Sequence, residues 1–239
     1  MRSVSELFKE MYENGCKTEV KANIAGTDYF MDSLVSMRTV RNVFSEDSPA
    51  LGSCVAGELS LELIAPNTSI PRQAKIIPSV RLTDGSRFSE WLQKGVFYID
   101  TRRTREDSTG TKILTIHGYD DMLKAEQDYP ESSLDWPTAD IDVVNEIARF
   151  IGVPVSAKTT DLIKNAYPVQ YPAQYTCREA LGFIAAMYGG CFIMNDLGEL
   201  ELIVFAPVGN VDPDEPAEGG CLITEDGYYI TFGGVRILV

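Results

Sequence analysis

Apolar and polar residues alternate with a period of two over most of residues 17–126, a pattern that predicts strands. The clearest run is GELSLELIA, where Leu59, Leu61 and Leu63 alternate with Glu58, Ser60 and Glu62 to give one dry face and one wet face. KTEVKANIA and YFMDSLVSMRTV flank Gly26, Thr27 and Asp28, which predicts a hairpin. AKIIPSVRL continues the series, and its Pro78, having no N–H to place in a ladder, is expected at an edge or a bulge. GVFYIDTRRT and TKILTIHGY enclose the polar tip at residues 105–110, a long hairpin in which Gly110 supplies a positive φ. YDDMLKAE then reads as a helical turn that closes the unit. Short antiparallel strands in this number predict that residues 17–118 form a barrel or a strongly curved sheet.

The period changes after the acidic, proline-bearing stretch QDYPESSLDWPTAD. In DIDVVNEIARFIG, Asp140 is expected to cap a helix, Val143, Val144, Ile147, Phe150 and Ile151 to form its buried face, and Gly152 to end it. In TCREALGFIAAMYGG, Thr176 and Glu179 have the spacing of a capping box, and Gly189 and Gly190 supply the stop. CFIMND and LGELELIVF follow as a hairpin around Asp196, Leu197 and Gly198. A short amphipathic helix is expected at the N-terminus, with Val4, Leu7, Phe8 and Met11 on one face. After the loop APVGNVDPDEPAEGG, the runs CLIT, GYYITF and GVRILV read as strands. The organisation is therefore a β unit at 1–127, a small α+β unit at 128–206, and strands at 207–239 that start a second β unit or return to the first.

Composition narrows the function classes. The 239 residues are enough for one large or two modest domains, and 44% hydrophobic content excludes global disorder. Lys and Arg number 21 against 35 Asp and Glu, a net charge of −14 that disfavours nucleic acid and anionic membrane as bulk-charge partners. Five cysteines, spread out and without a C-x-x-C pair, read as buried reduced thiols and not as a disulfide scaffold or a zinc site. The longest uncharged stretch, residues 180–195, is shorter than the about 18 apolar residues a span needs, and the N-terminus lacks a signal-peptide core.

Candidate chemistry is sparse. His117 is the only histidine, and no nucleophile motif accompanies it; G-x-S-x-G, Walker and G-x-G-x-x-G patterns are absent. Asp212, Asp214 and Glu215 lack the frame of a calcium loop. No catalytic, metal or cofactor site is expected. Arg102, Arg103 and Arg105, near the tip of the long hairpin, are candidates for a partner contact, with a solvated tip as the plainer reading. The segment YPVQYPAQY places Tyr167, Tyr171 and Tyr175 on a proline-stiffened stretch that would serve either as a carbohydrate or peptide platform or as packing against the second helix.

Four stretches, EWLQKGVFYIDTRRT, LTIHGYDDMLKAEQDYP, DWPTADIDVVNEIARFIGVPV and YTCREALGFIAAMYGGCFIMNDLGELELI, resemble the phage and prophage tail proteins that form the baseplate hub. They fall in the family's order and span most of the chain. The resemblance implies a mainly β protein: an antiparallel barrel-like tube domain, a small α/β domain, and a second tube domain that is incomplete here because family members continue past the equivalent of Val239. It further implies a non-enzymatic ring of three copies that continues the tail tube for DNA passage, at the virion tail tip or baseplate after synthesis in the bacterial cytoplasm. Its partners would be further copies of itself, distal tail and tube proteins and the tape-measure protein, with no specific nucleic-acid binding and no membrane insertion. A lumen that passes DNA should be neutral or acidic, which places Arg102, Arg103 and Arg105 away from it. Two rival readings stay open: a tail-tip cell-wall hydrolase using His117 or a carboxylate pair, and a carbohydrate-binding receptor-recognition module using the tyrosines.

Overall fold

The alternation in GELSLELIA becomes strand β4 (Glu58–Ile64), in which Leu59, Leu61 and Leu63 are buried and the residues between them are not. A computed structural model describes residues 4–44, 50–66, 69–164 and 166–205, together with the backbone of the paired strands Thr231–Phe232 and Val235–Arg236. The chain divides into two compact units, Met1–Phe205 and Ala206–Val239. The acidic loop, Cys221 and the strand expected at CLIT lie outside the described residues.

The first unit opens with helix α1 (Glu6–Glu13), capped by the Ser5 side chain and anchored by Met11, which is fully buried. An antiparallel sheet follows: β1 (Lys17–Ile24), β2 (Thr27–Phe30), β3 (Leu34–Val40), β4, β5 (Lys75–Thr83), β6 (Leu92–Gln93), β7 (Phe97–Glu106) and β8 (Lys112–Tyr119). The order across it is β2-β1-β5-β7-β8-β4-β3, with β6 also on β5. Among the described residues this path is open, with β2 and β3 as its two ends, so the expected barrel is not closed by strand pairing. Yet the chain passes from β2 to β3 through the turn in which Ser33 N–H donates to the Phe30 carbonyl. Four residues reach at most about 14 Å, so the two ends lie close together and the sheet must bend round on itself. The bend explains how one core gathers Ala22 and Ile24 of β1, the three leucines of β4, Ile76 of β5, Phe97 and Ile99 of β7, and Leu114 and Ile116 of β8.

Pro78, expected at an edge or a bulge, is not on an edge strand of the sheet. It lies inside β5, opposite Ala22 of β1, at the break where β7 has stopped pairing at Ile76 and β6 begins at Ser79. On that side the Pro78 carbonyl accepts from Lys94 N–H, so an interior strand accommodates proline by changing neighbours there.

Short strands β9 (Thr138–Ala139) and β10 (Pro168–Val169) pair beside a second core. That core is built by α2 (Asp140–Ile151), α3 (Ala157–Leu162), α4 (Cys177–Met187) and the hairpin β11 (Gly190–Met194) and β12 (Leu200–Val204). The expected helical turn is a 3-10 turn at Asp121–Glu126, and its Met122 and Ala125 belong to this core and not to that of the sheet. Cys54 joins them. The capping box on α4 is present in both directions: Glu179 N–H donates to Thr176 Oγ1, and Thr176 N–H donates to the Glu179 carboxylate. Gly182 of α4 meets Gly52 so closely that a Cβ on Gly182 would lie 2.6 Å from the Gly52 carbonyl oxygen.

Two details of α2 differ from expectation. Ala139 is the N-cap, and Asp140, one residue inside and fully buried, instead accepts a 2.6 Å hydrogen bond from the Tyr188 hydroxyl. Phe150 is 43% exposed while Ala148 takes the buried place, because the helix turns Ala148 toward the core at i, i+4 from Val144. Helix α3 has no apolar period in AKTTDL to announce it; Ser156 caps it, and Thr159 locks it to β12 by accepting from Leu202 N–H. No helix of the described residues is long and apolar enough to cross a membrane.

Candidate interaction surface

The β7–β8 hairpin carries the three arginines. Its register shifts between Ile99 and Thr101, and beyond that irregularity every residue of β7 from Asp100 to Glu106 is exposed. Strand alternation then separates the set. Arg102 pairs opposite Ile116, which faces the core, and its guanidinium donates to the Ile70 carbonyl. Arg103 and Arg105 project from the other face, where Arg105 lies 3.3 Å from Glu62, which also accepts from Thr115 Oγ1. The hairpin therefore brings Arg103 and Arg105 together and sends Arg102 elsewhere.

His117 lies on the same outer face, exposed, directly between Ser60 of β4 and Thr101 of β7. These residues line a shallow depression of about 410 Å³ with Arg38, Glu58 and Asp100. No hydrogen bond joins the His117 imidazole to either hydroxyl, so the pairing a serine nucleophile needs is not formed here. A second depression, of about 530 Å³, runs beside α2 past Asp142, Glu146 and Arg149. There both Glu146 oxygens are taken, one by the Tyr129 hydroxyl and one by Ser132 Oγ.

Burial disfavours the charged form of several side chains. Burial pushes the Cys54 thiol up to about 12 and that of Cys177 to about 11, and raises Cys191 as well. Thiols so placed carry almost no thiolate at neutral pH and are poor nucleophiles. Burial, then the hydrogen bond to Glu146, raises Tyr129; burial and Asp140 do the same to Tyr188. Asp120, at the join between β8 and the 3-10 turn, is pushed up to about 6 by burial, against the opposing hydrogen bonds from Gly57 and Met122 N–H. Among the described residues no cluster of three or more His, Cys, Asp or Glu side chains is placed to hold a metal ion.

The tyrosine segment closes on the protein itself. Tyr171 packs its ring against Trp136 and Tyr129 and donates its hydroxyl to the Pro130 carbonyl, while Tyr175 meets Phe183 of α4 edge-on. A different aromatic feature has no signature in the chain: Arg81 lies over both Phe88 and Trp91, and Lys21 over Trp91 and Phe30. Its parts come from β1, β2, β5 and the loop after β5, and only sheet pairing assembles them.

No protein family matches the chain, and no curated protein matches it in sequence. Solved structures do. The 43 kDa tail protein of prophage MuSo2 from Shewanella oneidensis aligns over 80% of this chain and 56% of its own, with 16% identity and a TM-score of 0.55. The tail protein from Neisseria meningitidis MC58 aligns over 77% of this chain and 50% of its own, with 15% identity and a TM-score of 0.52. The chain thus spans about half the length of these structures. With its antiparallel sheet bent round one core and its following unit of helices and hairpin, this chain shares the fold of these two tail proteins.

Proposed function

We propose that this chain is a structural, non-enzymatic component of a phage or prophage tail tip, a baseplate hub subunit of which three copies form a ring that continues the tail tube for DNA passage. The observation that carries the reading is the sheet that bends round one core while leaving both end strands, β2 and β3, with an edge that has no hydrogen-bonded neighbour among the described residues. A ring needs such heterologous edges, since one surface of each copy must meet a different surface of the next. In this reading residues 1–127 are a barrel-like tube domain, 128–206 a small α/β domain, and 207–239 strands that belong to a second tube domain or return to the first. The partners are further copies, distal tail and tube proteins and the tape-measure protein, and the location is the virion tail tip. Arg103 and Arg105, on the outer face of the hairpin, make a partner contact away from the lumen, with Arg102 at the hairpin's other face.

The test is light scattering on the protein extended to the length of its solved relatives, followed by imaging of the particles. A mass of three copies in a ring supports the proposal; a two-fold dimer refutes it. An assembled ring whose bore is lined by Arg103 and Arg105, and which binds duplex DNA tightly at low salt, would refute the conduit role.

A further inference from the structure

The register of the sheet assembles a row of polar side chains that no stretch of the sequence contains. Arg38 of β3 pairs opposite Ser60 of β4, Ser60 opposite His117 of β8, and His117 opposite Thr101 of β7, so each of four neighbouring strands adds a side chain to the outward face. In the next row on that face, Glu58 of β4 pairs opposite Tyr119 of β8. Asp100 joins them from the register shift of β7. It is the extra residue between Ile99 and Thr101, without a partner on β8, and a residue so inserted has its side chain re-aimed. All of these line the depression of about 410 Å³ around His117, a volume within the range of small-ligand sites.

The protein itself engages none of them. Among the described residues the side chains of Arg38, Glu58, Asp100 and His117 make no hydrogen bond and no ion pair, and neither do the hydroxyls of Ser60, Thr101 and Tyr119. Elsewhere on the sheet such charges are paired: Lys21 with Asp28, Arg81 with Glu19, Arg105 with Glu62. Here a guanidinium and two carboxylates share one depression and stay apart, because the register of paired strands holds them there. Groups fixed on strands are held in place before a ligand arrives.

The set of donors and acceptors selects the ligand. Arg38 only donates, Glu58 and Asp100 when ionised only accept, and the hydroxyls do either. One positive and two negative side chains leave the depression acidic, so a phosphate, a carboxylate or a nucleic acid meets more repulsion than attraction. A divalent cation finds no cluster of three or more His, Cys, Asp or Glu side chains among the described residues, and Arg38 opposes it. A sugar carries no charge, and its adjacent hydroxyls donate to carboxylates and accept from a guanidinium. Val40 and the ring of Tyr119 supply an apolar margin for its C–H groups. We propose that this depression is a binding site for an uncharged saccharide, in which Glu58 and Asp100 accept from its hydroxyls and Arg38 donates to them. The site is separate from Tyr171 and Tyr175, which pack on the protein itself, and the inference goes beyond the tail reading without depending on it.

His117 is the chain's one histidine, so its imidazole gives a single Hε1 signal in the proton NMR spectrum of the untagged full chain and reports on the site directly. Glucose, galactose, mannose and N-acetylglucosamine, and the β-linked dimer of each, are titrated at constant pH and salt. Expected is a saturable shift of that signal at millimolar concentration of at least one of them. Glucuronate, inorganic phosphate and glycine should each bind at least tenfold more weakly than that sugar. Asp100→Ala and Arg38→Ala should each weaken sugar binding at least tenfold. Arg105→Ala, on the same face but outside the depression, should change it less than twofold, and an unchanged urea midpoint shows that each variant keeps its fold. Lack of a saturable shift with every sugar at hundred-millimolar concentration overturns the proposal, as does undiminished sugar affinity in both depression variants. Glucuronate, phosphate or glycine binding as tightly as the best sugar makes the depression an anion or zwitterion site and also overturns it.

Discussion

Replacing Asp120 with asparagine isolates a charge buried where the two cores meet. The carboxyl is 4% exposed; one oxygen accepts from Gly57 N–H at the entry to β4 and the other from Met122 N–H in the 3-10 turn. Burial raises its pKa from 3.8 to about 6, overriding the two hydrogen bonds and the nearby Arg41. A group whose pKa is higher in the folded state stabilises the fold fully below its unfolded pKa, and that stabilisation is lost as pH rises through the folded value. With about 1.4 kcal/mol per unit, the two-unit rise corresponds to about 3 kcal/mol at most, lost between pH 4 and pH 6. Asparagine cannot ionise, and its amide leaves one of the two N–H groups without an acceptor, a pH-independent cost of about 1–3 kcal/mol. Asp120→Asn should therefore be clearly less stable than the parent at pH 4, and the gap should close or reverse by pH 7. Urea unfolding followed by the fluorescence of Trp91 and Trp136 at half-unit steps from pH 4 to pH 7 reads this directly. A stability difference that stays constant across that range, or that widens as pH rises, would refute the reasoning.

Other substitutions separate packing from surface effects. Gly182→Ala puts a methyl 2.6 Å from the Gly52 carbonyl oxygen, so α4 or the segment over it must shift, and a loss of about 1–3 kcal/mol is expected in denaturant unfolding. Leu61→Ala opens the fully buried centre of the sheet's core and should cost about 2–5 kcal/mol by the same measurement. Thr176→Ala removes the capping-box hydroxyl of α4 and should cost about 1 kcal/mol, with Thr176→Ser restoring most of it. Arg105→Ala breaks only an exposed pair with Glu62 and should change stability by less than about 1 kcal/mol; a larger change would show that the pair is more than a solvated contact.

Features that close within a few residues follow from the amino-acid sequence alone. The alternation of Leu59, Leu61 and Leu63 determines which face of β4 is buried, because side chains on a strand point to opposite sides in turn. The tip at residues 107–111, with Gly110 at φ +84, and the Thr176–Glu179 box are likewise local, each completing its hydrogen bonds over a short span of chain. Alternation also divides Arg102 from Arg103 and Arg105, but only once the register shift at Asp100 is known, and no residue type announces that shift. Asp140 has the residue type of a cap; tertiary packing instead buries it against Tyr188, 48 positions away. Strand order is written in no single segment. Lys17 pairs with Thr83 and Glu58 with Tyr119, and such long-range partners are chosen by which faces can be buried together, not by any periodicity within either strand. The same choice brings Arg81 and Lys21 over their aromatic rings and places Asp120 between two cores. Periodicity determines what each segment buries; only the closing of distant segments on one another decides what is left uncovered.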